Sequence, residues 1–303
     1  MRWMDEMAEV TRKRNGELLR QLFGILKQAP EGMSARSALE KLAAAIQLTP
    51  HEAGFYGPGA RRFEKIVRFA TVDCVKAGWL LKHKGTWTLT DTGLAAYEKL
   101  TDPEAFAREA ARLYRIWRTG QIAAEPEPST DLVADSPEKS AGITFEQAEE
   151  QAWGEIEAHV AAMDPYEVQK LVADLLKAMG YYPSWVAPPG KDGGVDIIAN
   201  PDPLGTRPPR IKVQVKRQQQ RVSREGLSAF LAHINEADAG LFVCTAGFTR
   251  DAEDFARSQQ TRTITLIDLE KLVDLWIEFA SKLDEQARER LPLTPIYFLT
   301  PRA

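Results

Sequence analysis

The sequence predicts an α/β protein of two domains, a small mainly helical domain followed by a larger layered one. The 303-residue length suits two domains, because single domains commonly span roughly 100–200 residues. Apolar residues recur at helical spacing in the first part, whereas helices alternate with short β-branched runs in the second. Between them, residues 123–142 are rich in Pro, Ser, Ala and acidic residues and lack periodicity, which is typical of a flexible linker.

The composition excludes several classes of protein. A hydrophobic fraction of 44% with 27% charged residues is ordinary for a globular chain. Two cysteines, Cys74 and Cys244, cannot form a disulfide scaffold. We expect no membrane partner, because no apolar run approaches the roughly 18 residues of a span. The N-terminal residues lack the apolar segment of a secretory signal. We therefore expect a cytoplasmic protein with reduced thiols.

The net charge of −4 conceals a strong asymmetry along the chain. Residues 1–120 carry a net charge of +6, residues 121–163 carry −9 and residues 164–303 carry −1. Regional charge bears on binding partners rather than on fold. We therefore expect a basic domain over 1–120, an acidic linker over 121–142 and a second domain over 143–303 that is nearly neutral from residue 164 onward.

The N-terminal region predicts three helices and a hairpin. Apolar spacing indicates helices near 11–28, 35–47 and 61–78, with Ser34 as the N-cap of the second. A turn at Lys84-Gly85 joins two short strands, and a further helix begins near Thr90. Three helices followed by a small basic hairpin is the order of a winged-helix domain.

Basic residues concentrate on the third helix and the hairpin. In a winged helix, the third helix enters the major groove and flanking charges contact phosphates. The candidate DNA-binding residues are therefore Arg61, Arg62, Lys65, Arg68, Lys82 and Lys84. Two alternatives stay open: a helical domain with a solvated basic face, and a winged helix that docks proteins.

The C-terminal region predicts a mixed α/β sandwich. A helix capped by Asp164 is followed by three strands, and then helices alternate with two further strands. The second and third strands, near 195–200 and 210–217, would form an antiparallel hairpin, and the later strands would be joined by parallel crossovers. Alternation within the third strand places Lys212, Gln214 and Lys216 on one face.

The hairpin would bring Asp196 close to Gln214 and Lys216. A carboxylate and an amide oxygen are hard donors that suit Mg²⁺ rather than zinc. A neighbouring lysine can orient a water molecule and offset negative charge. These residues suit the hydrolysis of a phosphodiester, although a polar sheet edge is the simpler reading of Gln-x-Lys alone. The four histidines lack the spacing of zinc ligands.

Three segments resemble the Mrr-type restriction endonuclease family, a branch of the PD-(D/E)xK nuclease superfamily. They are GGVDIIAN, IKVQVKR and TAGFTRDAEDFA, in that order along the chain. The resemblance covers roughly residues 164–283 and extends more loosely to the N-terminal region. It implies a restriction-endonuclease-like α/β/α domain with a mixed central sheet, preceded by a winged-helix DNA-recognition domain.

The resemblance also implies roles for individual residues. Asp196 would be the metal-binding aspartate and Lys216 the motif lysine. Gln214 stands where most of the superfamily has an acidic residue, which leaves one negative charge fewer. Glu167 matches a helix carboxylate that holds the metal through water, although a first-turn acid is also favoured by the helix dipole. Asp192 and Gln218 are weaker candidates for supporting roles.

The activity implied is Mg²⁺-dependent cleavage of double-stranded, methylated foreign DNA by a homo-oligomer, either a dimer or a tetramer. A repair or structure-specific nuclease without methylation dependence is one alternative. A DNA-binding regulator with a degenerate nuclease domain is another, which the Gln at position 214 keeps open. We further expect the acidic residues within 121–163 to compete with DNA for the basic face.

Overall fold

The structure is a computed structural model that describes residues 11–56, 60–119, 137–190 and 193–297. The chain divides into two compact units between Gly154 and Glu155, and Tyr297 groups with the first. We refer to them as the N-terminal and C-terminal units. No helix in the described ranges is both long enough and apolar enough to cross a membrane.

The N-terminal unit consists of helices around a small sheet. Its elements are α1 (Arg12–Lys27), β1 (Met33–Ser34), α2 (Ala35–Ala45), β2 (Phe55–Tyr56), β3 (Ala60–Arg61), α3 (Arg62–Lys76), β4 (Leu80–His83), β5 (Thr86–Leu89), α4 (Asp91–Lys99), α5 (Pro103–Thr119) and the first part of α6 (Pro137–Ala162). Thr11, Ser34 and Thr90 cap α1, α2 and α4 through their side-chain oxygens. Local capping thus sets where these helices begin.

One core joins the helices of this unit to its sheet. Fully buried aromatic and aliphatic side chains from α1, α3, α5 and the sheet pack together, among them Leu22, Phe23, Val67, Trp87 and Phe106. The rings of Phe23 and Phe106 meet edge to face, with centroids 5.1 Å apart. The apolar stripes predicted for the first and third helices therefore face one common interior.

The β4–β5 hairpin predicted at Lys84-Gly85 is present. Strands β1, β5 and β4 form an antiparallel sheet in that order. His83 pairs with Thr86, so the turn has two residues, and both take positive φ angles of 44° and 75°. Such a turn matches the twist of the flanking strands and favours glycine at its second position.

A buried ion pair fastens α1 to the loop after α2. The Glu52 side chain is 1% exposed. Its carboxylate accepts hydrogen bonds from Arg14 Nε at 2.9 Å and Nη2 at 2.8 Å, and from the Thr49 amide at 2.8 Å. The hydrogen bond from Arg14 is the main cause that lowers the pKa of Glu52 below its ordinary value.

We expect Glu52→Gln to destabilise α1 by about 3 kcal/mol at neutral pH, because removing one partner leaves the other charge buried and unpaired. Glu17→Gln is the matched control. Glu17 also pairs with Arg14, at 3.2 Å, but is 39% exposed, so its loss should cost less than about 1 kcal/mol. Amide exchange of α1 in the full chain under increasing urea measures both changes. Equal losses would contradict the prediction.

The same pair makes this difference depend on pH. A carboxylate whose folded pKa is depressed contributes stability above its unfolded pKa and loses it as the pH falls through the folded value. The gap between the wild-type chain and Glu52→Gln should therefore be full at pH 7 and shrink in acid, where protonated Glu52 resembles glutamine.

The C-terminal unit is a mixed sheet with helices packed against it. Its elements after α6 are α7 (Pro165–Ala178), β6 (Tyr182–Val186), β7 (Ile197–Asn200), β8 (Arg210–Lys216), α8 (Arg224–Leu231), β9 (Asp238–Cys244), α9 (Arg250–Arg257), β10 (Thr263–Ile267), α10 (Leu269–Glu278), a 3₁₀ turn (Ala280–Lys282) and α11 (Glu285–Arg290). The Asp164 carboxylate caps α7, and Pro165 begins it, as the sequence indicates.

The five strands lie in the order β10-β9-β8-β7-β6. Strand β7 runs antiparallel to both β6 and β8, whereas β8, β9 and β10 are mutually parallel. Helix α7 packs against β6, β7 and β8. Helices α8 and α9 pack against β9 through a core that includes Phe230, Phe242 and Phe248. The predicted mixed sheet with an antiparallel hairpin and parallel crossovers is confirmed.

The division between the units differs from the predicted one. Helix α6 begins at Pro137 and continues past residue 143, where we placed the start of the second domain. Residues 120–136 of the predicted linker lie outside the described residues. The physical reason for the difference is that Ile143 is buried and that Glu146 and Glu150 pair with basic residues of the N-terminal unit.

Candidate active site

The β7–β8 hairpin brings Asp196 to the middle of the Gln-x-Lys segment. The Asp196 amide donates to the Val213 carbonyl at 2.7 Å, and its Oδ2 accepts from the Val215 amide at 2.6 Å. Ile197 pairs with Val213, so Asp196 stands opposite Gln214, one step further along the hairpin. Asp196 is only 5% exposed. Asp196 therefore lies beside Gln214 and Val215, the two residues that directly precede Lys216 on the strand.

Glycines shape the chain that leads into Asp196. Gly193 and Gly194 both have positive φ angles, 65° and 88°, which L-residues with side chains rarely adopt. A side-chain carbon at Gly194 would also lie 2.8 Å from the His233 ring. The same segment is tied to α7, because the Gly190 amide donates to the Tyr166 hydroxyl at 2.9 Å. This arrangement explains the Gly-Gly that precedes Val195 and Asp196.

Gln214 and Lys216 share one face of β8. Their partners in register on β9 are Phe242 and Cys244. The Lys216 ammonium lies 5.6 Å from the centroid of the Phe242 ring. Burial raises the pKa of the Cys244 thiol, which therefore stays neutral beside it. In the described part of the chain, no carboxylate forms an ion pair with Lys216.

Lys212, on the same face, has a structural role. Its ammonium lies 2.8 Å from Asp238 and donates to the His233 carbonyl at 2.7 Å. Burial by itself would raise the pKa of Asp238, but hydrogen bonds from Lys212 and Arg210 bring it below its ordinary value. Lys212 is thus neutralised within the fold, which leaves Lys216 as the lysine that faces the candidate site.

Glu167 occupies the first turn of α7, but its partners are cations. Its carboxylate accepts hydrogen bonds from Lys170, at 2.7 Å, and from Arg290. The bond from Lys170 is the main cause that lowers its pKa. Arg290 also binds Asp174, at 2.9 Å. Among the described contacts, Glu167 therefore joins α7 to α11 and does not contact Asp196, Gln214 or Lys216.

Gln169 is the site residue that the sequence analysis missed. It is 5% exposed, and its side-chain amide donates to the Ala187 carbonyl at 2.8 Å. The Ala187 amide in turn donates to the Asp196 carbonyl at 2.8 Å. Gln169 thus connects α7 to the backbone of Asp196. The sequence signal that could have identified Gln169 is its position as a polar residue beside the apolar stripe of a buried helix, since a buried polar group requires a hydrogen-bond partner.

The two supporting candidates have different outcomes. Asp192 lies outside the described residues. The Gln218 side chain donates to the Gln220 carbonyl at 2.5 Å, and the Gln218 backbone exchanges hydrogen bonds with the Thr245 hydroxyl at 3.2 Å. These contacts hold the loop after β8. Thr249 caps α9, so the Thr-Ala-Gly-Phe-Thr segment shapes a strand-to-helix turn.

The donor set fits a magnesium ion bound mainly by water. No group of three or more His, Cys, Asp or Glu side chains that could hold a metal occurs in the described ranges. Asp196 supplies a carboxylate and Gln214 an amide oxygen, and both are hard donors. Mg²⁺ commonly binds through one or two protein ligands together with water and substrate phosphate. The residues present therefore suit Mg²⁺ better than a soft metal.

The basic residues predicted to bind DNA fall into two groups. Arg61 is 62% exposed, and its nearest carboxylate, that of Glu64, is 3.9 Å away. The Arg62 guanidinium lies 3.4 Å from His51 Nδ1, and the Lys65 ammonium lies 5.5 Å from the centroid of the Phe69 ring. These three residues lie at the start of α3.

Arg68 is buried and the Lys82 side chain is only 10% exposed, unlike freely accessible phosphate-binding residues. Arg68 is 4% exposed and pairs with Glu146 and Glu150 of α6. Lys82 pairs with Glu146 at 2.8 Å. Burial lowers the pKa of Lys82, while Glu146 opposes that shift. Helical spacing could not reveal these ion pairs, because the paired residues lie 64 to 82 positions apart in the sequence.

Comparisons with known proteins find similarity to a restriction endonuclease family. Residues 160–276 match a model of the restriction endonuclease family, the Mrr catalytic domain. The Type IV methyl-directed restriction enzyme EcoKMrr of Escherichia coli (strain K12) is 29% identical over 285 residues, which cover 84% of this chain and 88% of that protein.

A solved structure, the MspJI restriction endonuclease in complex with a 27-mer oligonucleotide, also resembles the chain. It shares 21% sequence identity with a TM-score of 0.29 over 63% of this chain. The match spans about half of that protein's length, 48%.

Proposed function

We propose that this chain, whose residues 160–276 match the restriction endonuclease family of the Mrr type, is a Mg²⁺-dependent endonuclease that restricts methylated DNA. The observation that carries the proposal is the placement of Asp196 against the Gln-x-Lys strand. A buried carboxylate, an amide oxygen and a lysine that faces the site are the groups that phosphodiester hydrolysis requires.

Each group has a defined role in the proposed reaction. Asp196 and Gln214 would hold the metal, which supplies Lewis acidity and activates water when bound. The Val215 amide fixes the Asp196 carboxylate, and Gln169 fixes its backbone through Ala187. Lys216 would orient the attacking water and offset charge on the phosphate. In-line attack then breaks the bond between phosphorus and the leaving oxygen.

The N-terminal unit is proposed as the DNA-recognition domain. The proposal is supported by the order α1-β1-α2-α3-β4-β5, interrupted by the two-residue strands β2 and β3, and by the sheet that joins β1, β5 and β4, since a winged helix has the same arrangement. In this arrangement α3 reads the major groove and the β4–β5 hairpin contacts the backbone. Arg61, Arg62 and Lys65 lie at the start of α3, where a helix contacts base edges or phosphates.

A homo-oligomer, a dimer or a tetramer, is the proposed active form. One catalytic centre in each chain cuts one strand, so cleavage of both strands requires two centres. A closed symmetric assembly places two such centres in fixed relation.

Methylation dependence is tested with one plasmid prepared without methylation, with methylated adenine and with methylated cytosine. We expect cleavage of at least one methylated form to exceed that of the unmethylated form by about tenfold or more, because discrimination at a modified base is worth roughly 1–3 kcal/mol. Equal rates on all three would instead favour a repair or structure-specific nuclease. The similarity to EcoKMrr, a methyl-directed restriction enzyme, supports faster cleavage of a methylated form.

A regulator with a degenerate nuclease domain is the second candidate function. The observation that favours it is Gln214, which leaves Asp196 as the acidic member of the pair. Fewer charged ligands weaken metal binding. Metal titration of the full chain separates this candidate from an active nuclease.

A further inference from the structure

The first half of α6 lies across the basic surface of the N-terminal unit. Ile143, Glu146, Glu150 and Trp153 follow one another at intervals of three and four residues, so they share one face of the helix. Each contacts the unit or is buried in it. We call residues 143–153 the α6 cover. It belongs to the N-terminal unit, whose boundary falls after Gly154.

The cover neutralises the charges that would otherwise attract phosphate. Arg68 donates from Nη1 to Glu146 at 2.8 Å and from Nη2 to Glu150 at 2.6 Å. Lys82 donates to the other oxygen of Glu146 at 2.8 Å. Two carboxylates therefore balance two cations in a largely buried cluster. The arginine fork binds carboxylates and phosphates with the same geometry, so a DNA backbone presents an equivalent set of acceptors.

The tip of the β4–β5 hairpin is covered as well. The Lys84 ammonium lies 5.0 Å from the centroid of the Trp153 ring. A carbon added at Gly85 would lie 3.0 Å from Glu150 Cγ. The cover thus spans both α3 and the hairpin, the two elements that a winged helix presents to DNA.

The contact is built mainly from charge. Within the described part of the cover, Ile143 is the fully buried apolar side chain, while Phe145 is half exposed. Gly154 directly follows and weakens the helix at the edge of the cover. Ion pairs of this kind can be exchanged for ion pairs with phosphate, whereas an apolar interface has no counterpart on a DNA backbone.

We propose that the α6 cover is displaced by double-stranded DNA, whose phosphates take over Arg68, Lys82 and Lys84. The inference rests on the proposed DNA-binding function and adds its regulation. With the cover in place, α3 and the hairpin bind DNA weakly. Displacement frees the basic surface and exchanges the carboxylate partners for phosphates.

The first test compares two double variants of the full chain. Glu146→Gln with Glu150→Gln removes the carboxylates of the cover. Glu155→Gln with Glu157→Gln makes the same charge change on the same helix, at exposed positions beyond the cover. Affinity for a duplex is measured at low salt with chelator in place of Mg²⁺. We expect the first variant to bind about tenfold tighter than wild type and the control to change by less than about twofold.

The second test locks the cover without relying on buried charge. The Cβ position at residue 85 lies 3.4 Å from Glu150 Cβ, close to the roughly 3.5–4.5 Å range of disulfides. Gly85→Cys with Glu150→Cys should therefore form one, and the native Cys74 and Cys244 are buried. The turn is strained for cysteine, but this strain is common to the oxidised and reduced forms. Oxidation should weaken duplex binding about tenfold or more, and reductant should restore it.

The outcomes separate the cover from the proposed function. Equal duplex affinity in the oxidised and reduced forms would overturn the cover, as would a Glu146/Glu150 variant that binds no tighter than its control. If no form binds duplex at low salt, including the Glu146/Glu150 variant, the proposed DNA-binding function fails and the cover fails with it.

Discussion

Lys216→Ala should reduce DNA cleavage about a thousandfold while leaving duplex affinity unchanged. Removing a group that acts on the transition state typically costs about 10²–10⁴ in rate. The Lys216 ammonium forms no ion pair with a carboxylate among the described residues, and it lies 5.6 Å from the centroid of the Phe242 ring. Its charge is therefore available to a phosphate or to the attacking water.

The measurement for Lys216 needs two readouts and a matched control. Cleavage of methylated plasmid is followed with Mg²⁺, and duplex affinity is followed with chelator. Lys271→Ala removes an exposed lysine from α10 of the same unit and should leave both values within about twofold. If Lys216→Ala cut at the wild-type rate, Lys216 would have no part in the reaction.

The candidate site was predictable because its pattern is local. Alternation in β8 places Gln214 and Lys216 on one face whatever the surrounding fold, since side chains of a strand repeat every two residues. A short connection then limits where Asp196 can lie relative to them. The structure adds the hydrogen bond from the Val215 amide, which no periodicity predicts.

The helix residues were harder to assign for a physical reason. Glu167 and Gln169 both lie near the start of α7 and adjoin the same apolar stripe. Which of them turns inward depends on where β6 and the loop after it pack against the helix. The structure buries Gln169 against Ala187 and directs Glu167 to Lys170 and Arg290. Sequence spacing alone carries no information about that packing.

Sequence spacing also fails to predict which residues pair with the basic residues of the N-terminal unit, because those partners are far apart in the sequence. Helical spacing correctly grouped the cations of α3, and the turn signal correctly located the β4–β5 hairpin. That grouping could not reveal that Arg68 and Lys82 are paired. Their partners Glu146 and Glu150 come after the acidic linker, far along the chain. The net charge of each segment predicts that acidic residues within 121–163 compete with DNA for the basic face. The structure is needed to identify Glu146 and Glu150 as the carboxylates that pair with the basic residues.

Asp196→Asn should abolish both Mg²⁺ binding and cleavage without unfolding the C-terminal unit. Asparagine has the same shape and keeps an oxygen that can accept the hydrogen bond from the Val215 amide. It removes the carboxylate charge, so the neutral amide of Gln214 would remain as the paired ligand. We expect cleavage to fall about a thousandfold or more, because loss of the metal removes both Lewis acidity and the activated water.

Isothermal titration of the full chain with Mg²⁺ and with Mn²⁺ measures the metal directly, and Asp274→Asn, on α10, is the matched control for loss of a carboxylate. A nuclease requires that the wild-type chain and the control bind metal and that Asp196→Asn does not. A regulator requires that no metal binding depend on Asp196 while duplex binding persists. Since Gln214 contributes no charge, the single carboxylate of Asp196 decides between the two functions.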